Sequence, residues 1–250
     1  MRSLLQKGND VSNTLPIAAK ADHARSQKLS IATVSQIWSE PRAQSPLWQS
    51  IAFVERVVAL LLSAFSLPII ICSAAVVAVL SRRAPFVAHR RVGLSGRVLW
   101  VWKLRTMWNP ARRCAAAPYF VEFLADAPVP LNKALHDPRI ASRVALLLRK
   151  YSIDELPQLW QVALGQLALV GPRPLTDAEL SDYYGPAMKK KLLAVKPGLT
   201  GLWQVSGRDR LSYEQRKGLD QHLLSNWSIR LYLRILYSTV FCVISGKDAH

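Results

Sequence analysis

Hydrophobic positions crowd most densely between Val57 and Leu80, twenty-four residues (VVALLLSAFSLPIIICSAAVVAVL) without a charged side chain. As one helix the run would reach about 36 Å, enough to cross a hydrocarbon core of about 30 Å. It begins too far into the chain, and runs too long, for an ordinary signal peptide. A soluble fold could bury such a helix only by surrounding it, and 250 residues leave little body for that. The run marks a membrane protein. Pro68, its twelfth residue, removes a backbone hydrogen bond at mid-segment, and Ser66 is placed to help cover the freed backbone. A membrane-helix break is expected at Ser66 and Pro68. Arg56 precedes the run, and nine Lys/Arg with no Asp or Glu lie between Ser81 and Arg113. By the positive-inside rule that basic flank belongs in the cytoplasm. Two topologies remain open. A spanning helix puts residues 1–56 outside, whereas a helix that breaks and turns back leaves both ends cytoplasmic.

Beyond this segment the pattern predicts short elements. Residues 1–50 are polar and rich in Ser, Gln and Ala, which reads as a flexible or weakly helical cytoplasmic arm. Leu99–Leu104 is an aromatic and β-branched run suited to a buried strand. Residues 108–138 carry five prolines and read as loops around a short helix near Tyr119–Ala125. Helices are predicted over Ala141–Lys150 and over Glu155–Leu164, the second ended by Gly165. A short apolar stretch, Leu167–Val170, precedes Gly171-Pro172-Arg173-Pro174. A polar helix over Asp177–Leu193, a rigid turn at Pro197-Gly198 and a strand-like Gly201–Val205 follow. Tyr213–Leu224 and Ile229–Ile244 are predicted helices. The last begins with Arg230 and Arg234 and ends almost wholly apolar, fitting either the membrane interface or burial against the domain. The expected class is α+β and mostly helical: an arm over 1–50, a membrane-embedded helix over 51–82 and a compact cytoplasmic domain over 83–250.

Composition narrows the partners. Half the residues are hydrophobic and eight are Trp, which excludes wholesale disorder. Thirty-three Lys+Arg against sixteen Asp+Glu give +17, an excess that suits an anionic partner. Nucleic acid is disfavoured, because no zinc-finger spacing or RNP-like pattern appears and much of the excess adjoins the membrane segment. Anionic lipids and phosphorylated substrates remain. Cys72, Cys114 and Cys242 form neither a disulfide framework nor a zinc pattern, which fits a reducing compartment.

The strongest chemical feature is Ser152-Ile153-Asp154-Glu155-Leu156-Pro157-Gln158-Leu159. Two adjacent carboxylates stand at a predicted helix start in a strongly basic chain. Asp154 could simply cap that helix, with Glu155 helped by the helix dipole. Equally, the pair could hold Mg²⁺ while one carboxylate attacks phosphorus. Cations suited to phosphate surround it. Lys103 and Arg105 share one face of the predicted strand, Arg173 is fixed between prolines, and Lys196 and Arg208 sit at stiff turns.

These residues carry a resemblance. The chain resembles the bacterial sugar transferases, monotopic phosphoglycosyl transferases that place a sugar phosphate on a polyprenyl phosphate carrier. It is most similar to their exopolysaccharide-production members. The likeness runs from about residue 51 to 246. It rests on His89-Arg90-Arg91-Val92-Gly93, Lys103-Leu104-Arg105-Thr106-Met107, Asp137-Pro138-Arg139, the Asp154–Leu159 block, Val170-Gly171-Pro172-Arg173-Pro174, Lys196–Arg208 and Asn226-Trp227-Ser228. The resemblance implies that Asp154 attacks the sugar-bearing phosphorus of a UDP-sugar, releasing UMP, and that Glu155, with Asp154, handles Mg²⁺. It adds Arg91 to the expected phosphate ligands. The sugar phosphate would pass to undecaprenyl phosphate at the bacterial inner membrane, starting a polysaccharide repeat unit; glucose or galactose is the expected hexose. It also implies a re-entrant membrane helix broken near a Ser-Pro pair, and other polysaccharide-assembly enzymes as partners. The alternative, a non-catalytic assembly scaffold, is opposed by the intact Asp154 and Glu155.

Five positions depart from the family's usual residues. Glu55 and Ala59 replace the Lys and Asp of Lys-Arg-x-x-Asp at the membrane segment. Gln161 replaces an Asn, Gln166 an acid, and Tyr232 an Asp near the start of the last helix.

Overall fold

A computed structural model describes residues 46–108, 120–125, 142–207 and 211–246. The arm up to residue 45, the Asp137-Pro138-Arg139 block and Arg208 lie outside the described residues, as does most of the proline-rich stretch.

The hydrophobic run belongs to a longer helix, α1 (Pro46–Ser81), thirty-six residues in length. Helical conformation continues through Pro68, so the break expected at Ser66 and Pro68 is not an interruption of the helix. A proline deletes one N–H from the ladder and leaves the other bonds in place. The Ser63 hydroxyl donates to the Ala59 carbonyl (2.7 Å), and Ser66 donates to the Ser63 carbonyl (3.2 Å). Such back-bonding bends a helix rather than ending it. Ala59, Ser63, Ser66, Ile70, Ala74, Val77 and Ser81 are buried at helical spacing, while Phe53, Leu61, Phe65, Ile71 and Val79 are among the large apolar residues left exposed. The helix is long and apolar enough to cross a membrane, and its exposed side is the apolar one.

The chain then enters β1 (Phe86–Val92), which pairs antiparallel with β2 (Val98–Leu104) and parallel with β3 (Val121–Leu124). The short helix expected near Tyr119–Ala125 is therefore a strand. Its Val-Glu-Phe-Leu core has β-branched and aromatic character, and β1 offers it a partner edge. Helix α2 (Arg143–Lys150) begins where Ser142 accepts a hydrogen bond from the Ala145 N–H. After it the Asp-Glu pair lies in a 3₁₀ turn, Ile153–Glu155, and helix α3 begins only at Gln158 (Gln158–Ala163). Asp154 caps no helix here.

Strand β4 (Ala168–Val170) pairs in parallel with β5 (Gly198–Thr200). The single helix expected between them is two, α4 (Asp177–Tyr183) and α5 (Pro186–Leu193), because Gly185-Pro186 ends one and starts the other. The strand expected over Gly201–Val205 is instead the short helix α6 (Leu202–Val205). The strand sits one step earlier, where the turn was predicted. Helices α7 (Tyr213–Ser225) and α8 (Ile229–Ser245) match their predicted spans closely. The class is α+β and mostly helical.

One apolar cluster joins α1 to the rest. Ala59 is fully buried among Leu99, Val101, Val162 and Leu167. An alanine replaces the family's aspartate where a carboxylate would meet an apolar core. Gln161 also makes sense in place. Its amide accepts from the Trp102 N–H (3.0 Å) and donates to the Trp100 carbonyl (2.7 Å), tying α3 to the free edge of β2. The same amide donates to Gln166 (3.1 Å). Two departures from the family are thus one contacting pair.

Candidate active site

Strand alternation builds the first wall of a cleft. His89 and Arg91 lie on one face of β1, and the register His89↔Val101 puts Val101 and Lys103 of β2 on that same face. The 3₁₀ turn brings Asp154 and Glu155 opposite, with Arg149 from the end of α2 and Gln158 from the start of α3. Ser152, which opens the turn, holds a left-handed backbone (φ 54°). A non-glycine residue in that region carries strain, which is common where a site fixes its geometry. The third side comes from Arg173 and Pro174 after β4, Gly198 and Leu199 of β5, and Trp203 and Gln204 of α6. The cavity holds about 170 Å³.

Its electrostatics are those of an anion site around a carboxylate floor. Lys103 Nζ pairs with Glu155 Oε1 at 2.6 Å. Asp154 is only 7% exposed. Burial, with Glu155 beside it, pushes its pKa up to about 6, against the pull of Lys103 and Arg149. His89 goes the other way, down to about 4, through burial and then Arg91, Lys103 and Arg105, so it stands neutral at physiological pH. Arg173 is held from several sides. Its guanidinium lies 5.2 Å over the Trp203 ring and 4.0 Å from Glu179, and its backbone lies beside the buried Asp220 carboxylate. Arg216 covers the same indole at 5.2 Å.

Of the cations expected around phosphate, Arg91, Lys103 and Arg173 line the cleft. Arg105 does not. It follows the last residue of β2, so strand alternation no longer applies. Its guanidinium is buried against Glu122 and the Ala84 carbonyl. Lys196 also lies outside the lining, where Arg56 and Glu55 are its charged neighbours. The sequence reading gave no role to His89, Arg149, Gln158, Trp203 or Gln204. For Arg149 the available signal was a cation closing the helix immediately before the acid pair.

Close backbone approach fixes the cleft's back. A Cβ on Gly171 would lie 2.7 Å from Gly198 N and 2.8 Å from the Lys196 carbonyl. Replacing Gly171 by Ala should therefore lower Tm, at a cost of roughly 1–3 kcal/mol, and shift Arg173 two residues on. Gly218→Ala, in open space within α7, should leave Tm unchanged or raised. Equal Tm values for the two variants would overturn the close-packing argument.

Residues 49–246 match the sequence signature described as bacterial sugar transferase. The chain belongs to that family. It is 40% identical over 168 residues to the UDP-galactose-lipid carrier transferase of Erwinia amylovora, an alignment covering 67% of this chain and 35% of that protein. To the exopolysaccharide production protein ExoY of Sinorhizobium fredii it is 37% identical over 171 residues, covering 66% of this chain and 72% of the relative. The undecaprenyl-phosphate galactose phosphotransferase of Salmonella typhimurium is 36% identical over 174 residues, or 65% of this chain and 34% of that protein. The chain thus spans about a third of two of these relatives and most of the third. This member of the family carries the acid pair and three of its expected cations in one cleft.

Proposed function

We propose that this cleft transfers a hexose 1-phosphate from a UDP-sugar to undecaprenyl phosphate at the membrane. The observation that carries the reading is the adjacent Asp154–Glu155 pair, ringed by Arg91, Lys103, Arg149 and Arg173 in one cavity. The relatives' names supply the substrate class. An Asp154 carboxylate oxygen attacks the sugar-bearing phosphorus, the bond to the bridging oxygen breaks, and UMP leaves with the electron pair. An oxygen of the lipid phosphate then attacks the same phosphorus, freeing the Asp154 carboxylate and giving a polyprenyl diphosphate sugar. The four cations offset charge on the transferring phosphoryl group.

Mg²⁺ fits the residues present. It is commonly held by one or two carboxylates with substrate phosphates and waters, and Asp154 and Glu155 supply that many. When bound, it would add Lewis-acid neutralisation of the phosphates. Glu155 would exchange its Lys103 partner for this role.

The deciding experiment incubates full-length protein in detergent with Mg²⁺ and UDP-glucose or UDP-galactose labelled in the sugar, without acceptor. A sugar-phosphate adduct at Asp154 that passes to added undecaprenyl phosphate is the expected result. Turnover with no adduct under rapid quenching would point to direct transfer instead.

Both ends of α1 are proposed to lie on the cytoplasmic side, the helix bending at Ser63–Pro68 within the bilayer rather than stopping there. The exposed face of α8, with Ile229, Leu233, Tyr237, Val240, Phe241 and Ile244, gives the domain a second apolar surface for the same interface. Its other face is seated inward by Tyr232 and Ile235. Cysteines placed at Ser30 and Ser181 should both resist impermeant thiol reagents in intact cells. Labelling of position 30 alone would establish a spanning helix.

A further inference from the structure

Tyr232 donates a hydrogen bond to Glu55 at 2.7 Å across 177 residues of chain. The pair joins the two remaining departures from the family's usual residues. Glu55 does more than meet Tyr232. The Leu169 and Val170 backbone on β4 lies beside the same carboxylate and favours its charge, and Lys196, just before β5, adds its own. Arg56, the next residue, lies over Gly165 at the end of α3. Trp48 packs edge-on against Trp227 and Tyr232, at 5.9 and 6.5 Å between ring centres. The charged foot of the membrane helix is therefore fastened to the strand that runs on into Arg173, and to the last helix.

We infer that Glu55 and Tyr232 form a positioning latch that sets the cleft relative to the membrane segment and so controls access of the lipid acceptor. Neither residue lines the cavity. A nucleotide sugar arrives from water and needs only the cleft itself. The polyprenyl phosphate stays in the bilayer, so its phosphate reaches Asp154 only if helix and cleft keep their mutual placement. The inference rests on the proposed transfer reaction for its kinetic readout, and a second readout does not depend on that reaction.

The test compares wild type, Glu55→Gln, Tyr232→Phe and the double variant as full-length protein in lipid nanodiscs. Apparent KM for undecaprenyl phosphate should rise roughly tenfold in each single variant, the scale of one lost hydrogen bond to a charged group. The double variant should be no worse than the singles, since both break one contact. KM for the UDP-sugar should stay at its wild-type value. Independently of turnover, hydrogen exchange at the Leu169 and Val170 amides should speed up in Glu55→Gln. Faster exchange with no activity in any protein would keep the latch and sink the transfer reading. Unchanged exchange, additive single effects, or equal rises in KM for both substrates would overturn the latch.

Discussion

An Asp154→Asn protein is expected to fold, to reach the membrane and to turn over nucleotide sugar at background rates. Asn keeps the shape of the side chain and loses the anionic oxygen that attacks phosphorus. No helix cap is lost, because Asp154 sits inside a 3₁₀ turn and α3 starts at Gln158. Stability should not fall, and the sign follows from the buried carboxyl. Its folded pKa of about 6 lies above the usual carboxylate range, so the unfolded chain ionises it first. Wild-type stability is therefore reduced as pH rises from about 4 through about 6, and the deficit stays constant above that. At pH 7.5 the Asn variant should melt no lower than wild type, and any advantage should vanish near pH 4. Wild-type UMP release should decline as pH drops through about 6, where the nucleophile takes up its proton. Glu155→Gln should also be severely impaired while folded, having lost the charge that pairs with Lys103. Robust turnover by Asp154→Asn, with deamidation excluded by mass, would remove Asp154 as nucleophile.

What the sequence disclosed, and what it concealed, divides along physical lines. Helices α1 and α8 were legible because long apolar periods survive any tertiary context. The acid pair and Arg173 stood out as charges beside turns and do share one cleft, whereas Lys196, beside an equally stiff turn, does not line it. Short elements were less so. Val121–Leu124 has only four residues, and pairing with β1 decided its state. The offset between the expected strand at Gly201–Val205 and the observed one at Gly198–Thr200 arose because Gly171 and Gly198 must meet backbone to backbone. No residue pattern within either segment records that meeting. Arg105 was misplaced because side-chain alternation was carried one residue past the strand's end at Leu104. The five departures from the family's usual residues gain sense in three dimensions. Gln161 contacts Gln166, Glu55 contacts Tyr232, and Ala59 fills an apolar core.

Arg173 and Arg105 offer a matched pair in which similar sequence chemistry should give opposite outcomes. Arg173→Gln removes a cation from the cleft wall, together with its contacts to the Trp203 face and Glu179. If that charge stabilises the transferring phosphoryl group, kcat/KM for UMP release should fall roughly 10²-fold or more, the usual scale for one preorganised electrostatic donor. Folding should be largely kept, since the backbone between Pro172 and Pro174 does not depend on the side chain and Gln still covers part of the indole. Arg105→Gln acts elsewhere. It strips Glu122 of its partner and leaves the Ala84 carbonyl with a weaker donor, at a residue that does not line the cavity. Its Tm should fall, while activity per folded molecule stays close to wild type. Thermal unfolding and UMP release, measured side by side on both proteins, separate the two roles. A folded Arg173→Gln protein with normal kcat/KM, or a fully stable Arg105→Gln protein with collapsed kcat/KM, would reverse the assignment of these two cations.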